Sequence, residues 1–400
     1  MTSITVPEEE RTPRELRVLI TVGFFVSGAA GLLDQVVWSK YLALFIGSST
    51  TALTVVLATF MGGLAIGNHL FGRRVDAARD TRQALYYYAI LEMGIGLWCL
   101  AFPEILSVAT SAYIAAAAPL GFGTAGTSGL KIALAGATIL PPTILMGGTL
   151  PVLARVITSR VADVASKVGR LYFINSFGAA VGAAAAGFLI IPAIGLAPSI
   201  RASGVLNLML AVIFTLALRR PGLKHSTVAG EAGVTTSDRS FNGVQRRTTM
   251  VVIGLAGAVS MLYEVVWTRL LSLVMGGSTY SFTIMVTTFI TGITLGSLAV
   301  SRLFGRDGAG DDPLKWFAIA ETGVFLSILP IVPLYDHLPF YFAMIASVLE
   351  RSSDAFPLYL FVKVVITFLL MLLPTFFIGM TLPLASRVAV DRLEVLGKKV

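Results

Sequence analysis

The 400-residue chain has few of the side chains from which metal and disulfide sites are built. Its one cysteine, Cys99, excludes an internal disulfide and any multi-cysteine zinc or iron–sulfur site. The three histidines, His69, His225 and His337, are scattered along the chain without a metal-binding motif around them. We therefore predict no metal site. No nucleophile lies near a base in the sequence, so we also predict no catalytic residues within these 400.

Charged residues are scarce as well. Asp, Glu, Lys and Arg make up 13% of the chain and hydrophobic residues 56%, whereas soluble domains have roughly 25% and 45–50%. This is the composition of a membrane protein in contact with a lipid bilayer. The net charge of +8 could indicate nucleic-acid binding, but the basic residues collect in alternate connections between apolar runs. Membrane topology explains that excess, so we predict no nucleic-acid partner.

Ten apolar runs of about 20 residues are long enough to cross a hydrocarbon core of roughly 30 Å. Each should be a helix, because the bilayer offers no water to hydrogen-bond a free backbone. The first run is too long for a cleavable signal peptide and is predicted to be retained. The runs lie near residues 17–38, 51–72, 84–106, 128–150, 173–194, 199–218, 249–268, 282–303, 314–335 and 358–380.

Loop charge predicts the orientation. Arginines precede the first run, and basic residues follow the second, fourth, sixth, eighth and tenth runs, whereas the connection over residues 107–127 has no charge. The positive-inside rule then predicts a cytoplasmic N-terminus. We expect a multi-pass protein of the cell inner membrane.

The sequence contains a long internal repeat. The stretch "DQVVWSKYLALFIGSST" at 34–50 returns 229 residues later as "YEVVWTRLLSLVMGGST" at 263–279. With an offset of 232, "PTILMGGTLPVLAR" at 142–155 returns as "PTFFIGMTLPLASR" at 374–387. Because six runs, an even number, separate equivalent helices, both copies should enter the membrane in the same direction.

These patterns predict an all-α polytopic membrane fold of about ten transmembrane helices in two parallel, major-facilitator-like repeats. We place a first six-helix repeat at 1–218, a Gly-, Ser- and Thr-rich cytoplasmic linker at 219–248, and a second repeat with four helices at 249–400. The second repeat is expected to be incomplete, because Val400 falls opposite Val168, where the fifth helix of the first repeat begins.

Several motifs resemble the membrane region of the multi-span spermidine synthase-like proteins. They include "FFVSGAAGLLDQVVWSKYLALFIGSSTTALTVVLATFMGGLAIGNHLFGRRVD", "ILPPTILMGGTLPVLAR", "GRLYFINSFGAAVGA" and "LAGAVSMLYEVVWTRLLSLVMGGSTYSF". In that family a transporter-like membrane region is fused to a C-terminal aminopropyltransferase-like domain. The resemblance implies a transporter-like domain that binds or moves polyamines or related cations. The alternative that it implies is a membrane anchor or scaffold for that S-adenosylmethionine-dependent domain.

Enzymatic activity stays open at this point. Spermidine synthase activity is expected only if a longer parent chain carries the soluble domain. Two glycine-rich stretches, "GFGTAG" at 121–126 and "GAGDD" at 308–312, superficially resemble nucleotide-binding loops. Neither follows a predicted strand, so we predict no bound cofactor.

Ionisable residues inside the apolar runs are the best candidates for a substrate-binding cavity, since a buried charge in lipid is costly and usually functional. If the carboxylates line a central cavity, they could bind a cation or protons. Alternatively, Asp34 could pair with Lys131 and Glu264 with Lys363 as structural ties, with the lysines reaching toward the interface. The candidates are Asp34, Gln35, Glu92, Lys131, Tyr263, Glu264, Glu321 and Lys363.

Two tryptophans and two prolines complete the predicted site. Trp38 and Trp267 lie one turn from the acidic positions and are either interfacial aromatics or a cation–π wall for an amine. Pro142 and Pro374 occupy equivalent positions and should kink their helices. The freed carbonyls could bind a ligand or allow a hinge, or the kinks could serve packing alone.

Overall fold

The structure, a computed structural model, describes residues 14–78, 80–117, 123–158, 164–219, 241–275, 279–304, 312–348 and 356–390. Within these ranges the chain is all-α and contains no strand, which confirms the predicted fold class. Ten of the described helices are long and apolar enough to cross a membrane. The protein is therefore a multi-pass helical membrane protein. Most of the predicted linker lies outside the described residues, so the domain boundaries stay a prediction.

The ten helices, numbered here as spans 1 to 10, overlap the ten predicted apolar runs. Eight of them contain their run entirely, whereas span 6 ends one residue before the end of the run at 199–218 and span 10 begins three residues after the start of the run at 358–380. The spans are Arg14–Ile46, Ser49–Asp76, Thr81–Ala117, Ala125–Ile157, Val164–Ile194, Leu196–Ala217, Gly243–Ser272, Ser281–Leu303, Pro313–Ile345 and Phe361–Ala389.

Local sequence sets several of the helix ends and breaks. Span 1 ends before Gly47, whose φ of 85° is a left-handed conformation that glycine adopts without strain. The side chain of Ser48 then caps span 2 by accepting the backbone N–H of Thr51 at 3.3 Å. Span 4 is divided at Gly148, and span 5 contains one π-helical turn at Ala186–Ile190.

Spans 2 and 4 approach each other closely at glycine, and so do the equivalent spans 8 and 10. A methyl group placed on Gly67 would lie 1.8 Å from the carbonyl oxygen of Ile144. In the second copy, a methyl group on Gly296 would lie 1.9 Å from the carbonyl oxygen of Phe376. Only glycine allows two helix backbones to come this near. The repeat in the sequence is thus also a repeat in the packing.

Span 5 joins the two copies. It packs against span 1, where a methyl group on Gly178 would lie 2.0 Å from the carbonyl oxygen of Phe25. It also packs against span 8, where a methyl group on Gly187 would lie 1.8 Å from Oγ1 of Thr283. The contact between the copies therefore depends on small residues along span 5.

The glycine contacts predict a specific loss of stability. Gly67→Ala and Gly296→Ala each push a methyl group into a neighbouring backbone carbonyl, which should destabilise the protein by about 1–3 kcal/mol. Gly62→Ala is the matched control, because a methyl group there meets nothing within 4 Å. Thermal unfolding in detergent measures the difference. Equal unfolding temperatures for Gly67→Ala and Gly62→Ala would contradict the close approach.

Candidate functional site

A cavity of about 680 Å³ lies where the two copies meet. Its walls come from spans 1, 2, 4, 5, 7, 8 and 10, and most of the lining is apolar. The volume falls in the range of small-molecule binding sites, roughly 300–1,000 Å³. The polar side chains in the wall include those of Gln35, Thr149, Asn175, Glu264 and Thr381.

The cavity wall is built from repeated positions. Many lining residues of the first copy have their equivalents in the second copy also in the wall, so the cavity follows the internal repeat. Examples are Gly28 with Gly257, Gly31 with Ser260, Gln35 with Glu264, Phe60 with Phe289 and Thr149 with Thr381.

Glu264 is the one carboxylate among the described lining residues, and no lysine, arginine or histidine accompanies it. Its side chain is 4% exposed, and no described residue donates a hydrogen bond or forms an ion pair with the carboxylate. The equivalent residue in the first copy, Gln35, is neutral and also lines the cavity. An unpaired acid in an apolar wall is costly to bury. Among the described residues, the cavity wall therefore offers one negative group to a positive charge.

Asp34 does not share this cavity, although it precedes Gln35 directly. One residue along an α-helix turns the side chain by about 100°, and Asp34 points toward span 3. It is fully buried there, and the Cys99 thiol donates to Oδ2 at 3.2 Å. Its counterpart Tyr263 packs against the apolar core and does not line the cavity.

Glu92 on span 3 and Glu321 on span 9 do not line the cavity. Glu92 is fully buried and accepts a hydrogen bond of 2.7 Å from the hydroxyl of Ser27, which itself lines the cavity. Glu321 is half-buried and does not line it. The interpretation that places all four carboxylates in one cavity is therefore wrong, because only Glu264 reaches it.

The two lysines contact aromatic rings. Lys131 Nζ lies 5.1 Å from the ring centroid of Tyr113, and Lys363 Nζ lies 4.0 Å from that of Tyr359. Neither forms an ion pair with Asp34 or Glu264 in the described part of the chain. The predicted pairings are wrong. Asp34 meets Cys99 of span 3, and the lysines contact Tyr113 of span 3 and Tyr359, which lies one turn before Lys363 on the same helix.

The tryptophans are core residues. Trp38 is fully buried between Phe60 and Phe102, and Trp267, 2% exposed, packs edge-on against Tyr335. Neither lines the cavity or reaches the outside of the protein. Both interpretations made for them from the sequence are wrong.

The prolines lie inside continuous helices. Pro142 has no N–H to donate, which frees the carbonyl oxygen of Thr138 one turn earlier. The indole of Trp98 on span 3 donates to that oxygen at 3.0 Å. This carbonyl is thus used in packing between helices. A hinge at Pro142 or Pro374 stays a prediction.

Sequence reasoning missed the polar residues that spans 4, 5 and 10 contribute. Thr149 and Thr381 occupy the same place in the repeated "TLP" motif, so the repeat itself could have indicated them. Tyr172 and Asn175 on span 5 have no equivalent in the described residues, and no signal in the sequence marks them.

The geometry defines a class: a multi-pass helical membrane protein with a small-molecule-sized cavity between two internal repeats. No protein-family model matches the chain, and no curated protein sequence matches it. A functional proposal therefore has to rest on the residues that line the cavity. The resemblance to spermidine synthase-like proteins stays a hypothesis.

Proposed function

We propose that the protein is a transporter-like membrane protein that binds a small organic cation in the cavity between its repeats. The observation that carries this proposal is the buried carboxylate of Glu264, which has no partner and no charged neighbour among the described residues of the wall. A cation that enters the cavity loses hydrating water, and its interactions with the charge of Glu264 and with the apolar wall offset that loss. Binding between two repeats is also where alternating-access carriers hold their substrates.

The lining favours a ligand with one positive charge and an apolar body. Gln35, Asn175 and the threonine hydroxyls can accept hydrogen bonds from an ammonium group, but they do not neutralise it. A polyamine carries several ammonium groups, of which only one can meet a carboxylate here. The resemblance keeps polyamines as candidates. The one carboxylate among the described lining residues instead favours cations with a single positive charge.

The resemblance also supports a second role for the same fold. As the membrane region of a spermidine synthase-like protein, it would anchor a soluble aminopropyltransferase domain. In this alternative, aminopropyltransferase activity would belong to that soluble domain.

The ligand proposal predicts a charge-specific loss of binding. Glu264→Gln should weaken binding of tetraphenylphosphonium by roughly tenfold to a hundredfold, since two opposite unit charges roughly 6–10 Å apart attract by about 1.7–2.8 kcal/mol at an effective dielectric constant of about 20. Glu321→Gln is the matched control, because Glu321 lies outside the cavity. Titration calorimetry on purified protein gives both affinities, and spermidine should bind more weakly than tetraphenylphosphonium. If the two variants lose affinity equally, or if the unaltered protein binds neither cation, the proposal fails.

The positive-inside rule supports a protein of the inner membrane with its N-terminus in the cytoplasm. The expected result is that a cysteine at the exposed Thr248, in the first turns of span 7, is labelled only from the cytoplasmic side, and one at the exposed Ser111, in the last turns of span 3, only from outside. A membrane-impermeant thiol reagent applied to intact cells and to inverted vesicles of a Cys99→Ser chain measures this. Labelling of both positions from one side would contradict the orientation.

A further inference from the structure

Lysine and arginine are few on the side of the membrane opposite the basic connections. Among the described residues of that side, all but two of them contact an acid or an aromatic ring. Arg201 forms an ion pair with Glu104, and Lys131 and Lys363 lie over tyrosine rings. The topology that explains the basic connections does not explain the other two.

These two residues are Lys40 and Arg269, which occupy equivalent positions of the repeat. Both line a pocket of about 240 Å³, where the last turns of spans 1 and 7 meet the first turns of spans 2 and 8. No described residue lines both this pocket and the cavity that contains Glu264. The walls are two pairs of equivalent spans, so both copies of the repeat contribute to the pocket in the same way.

The two positive charges have no acidic partner. No aspartate or glutamate is among the described lining residues. Lys40 is half-buried and forms no hydrogen bond or ion pair with a described residue. Arg269 donates one hydrogen bond, from Nη1 to the hydroxyl of Thr50 at 2.7 Å, and a guanidinium has five N–H donors. Two like charges that share a pocket repel each other, and an anion between them removes that repulsion.

The rest of the lining offers further donors to an anion. Ser49 is the first residue of span 2 and Ser281 the first of span 8, so the N-termini of two helices adjoin the pocket. The first N–H groups of a helix have no acceptor within it, and the helix dipole favours negative charge there. The hydroxyl of Thr50 accepts from Arg269 and keeps its own hydrogen to donate.

We propose that the pocket between Lys40 and Arg269 binds a phosphate group. Arginine and lysine side chains bind phosphate oxygens by charge-assisted hydrogen bonds, and helix N-termini add to them. The volume of about 240 Å³ is below the roughly 300–1,000 Å³ of drug-sized sites, which favours a small anion or one headgroup. Free phosphate and an anionic phospholipid present the same oxygens to these donors. This inference does not rest on the ligand of the cavity that Glu264 lines.

The test compares two double variants of the whole chain that each remove two positive charges. Lys40→Gln with Arg269→Gln removes those of the pocket. Lys131→Gln with Lys363→Gln is the matched control, because these lysines also occupy equivalent positions on the same side of the membrane but do not line the pocket. The rise of the unfolding temperature with inorganic phosphate, in uncharged detergent at constant ionic strength, gives each affinity. We expect the pocket variant to lose roughly tenfold or more and the control to bind like the unaltered chain.

Lys40→Gln alone separates the loss of charge from a loss of folding, since Lys40 makes no described hydrogen bond or ion pair that its replacement would remove. We expect it to unfold at the temperature of the unaltered chain without phosphate and to bind phosphate about threefold or more weakly.

A second arm identifies the source of the phosphate group. The unaltered chain and both double variants are extracted from bilayers of phosphatidylglycerol and phosphatidylcholine, and mass spectrometry of the intact proteins counts the lipids retained. Binding of inorganic phosphate, or retention of phosphatidylglycerol, that is lost in the pocket variant and kept in the control supports the proposal and names the source. Neither phosphate binding nor retained phosphatidylglycerol in the unaltered chain, or equal losses in the two double variants, would overturn it.

Discussion

Backbone contact at glycine determines how closely the helices of this protein pack against each other. Helices in lipid gain no hydrophobic free energy by meeting each other, so close van der Waals packing holds them together. Gly67 and Gly147 interlock spans 2 and 4, and Gly296 and Gly379 do the same for spans 8 and 10. These contacts fix the position of the helical turn that follows Gly147 in span 4 and Gly379 in span 10. Thr149 and Thr381 come to the cavity wall for that reason.

The duplicated scaffold carries a site that is no longer symmetric. Gln35 and Glu264 are equivalent positions, yet one is neutral and the other acidic. Ser27, which donates to Glu92, has Ala256 as its equivalent, so the second copy has no matching hydrogen bond at this position. A cation bound in this cavity would have a defined orientation, with its charge toward span 7.

The architecture was predictable from the sequence because bilayer thickness fixes helix length and the repeat fixes equivalent positions. The direction of individual side chains was not. Asp34 and Gln35 are neighbours in sequence, and the choice between them depends on which face of span 1 meets span 3 and which meets the cavity. The contact of Lys131 with Tyr113 of span 3 likewise depends on tertiary packing, whereas Lys363 contacts Tyr359 four residues earlier on its own helix. The repeat could have indicated Thr149 and Thr381, whereas Asn175 has no sequence signal.

Equivalent positions of the two copies, Gln35 and Glu264, face one cavity. The most direct measurement is cross-linking of a Gln35→Cys, Glu264→Cys chain with water-soluble bifunctional thiol reagents of graded length, in a Cys99→Ser background. The comparison is the Asp34→Cys, Tyr263→Cys chain, in which both positions move back by one residue and so by about 100° around each helix. We expect an intramolecular cross-link for the first pair and none for the second. Equal cross-linking of the two pairs, or cross-linking of the second alone, would contradict it.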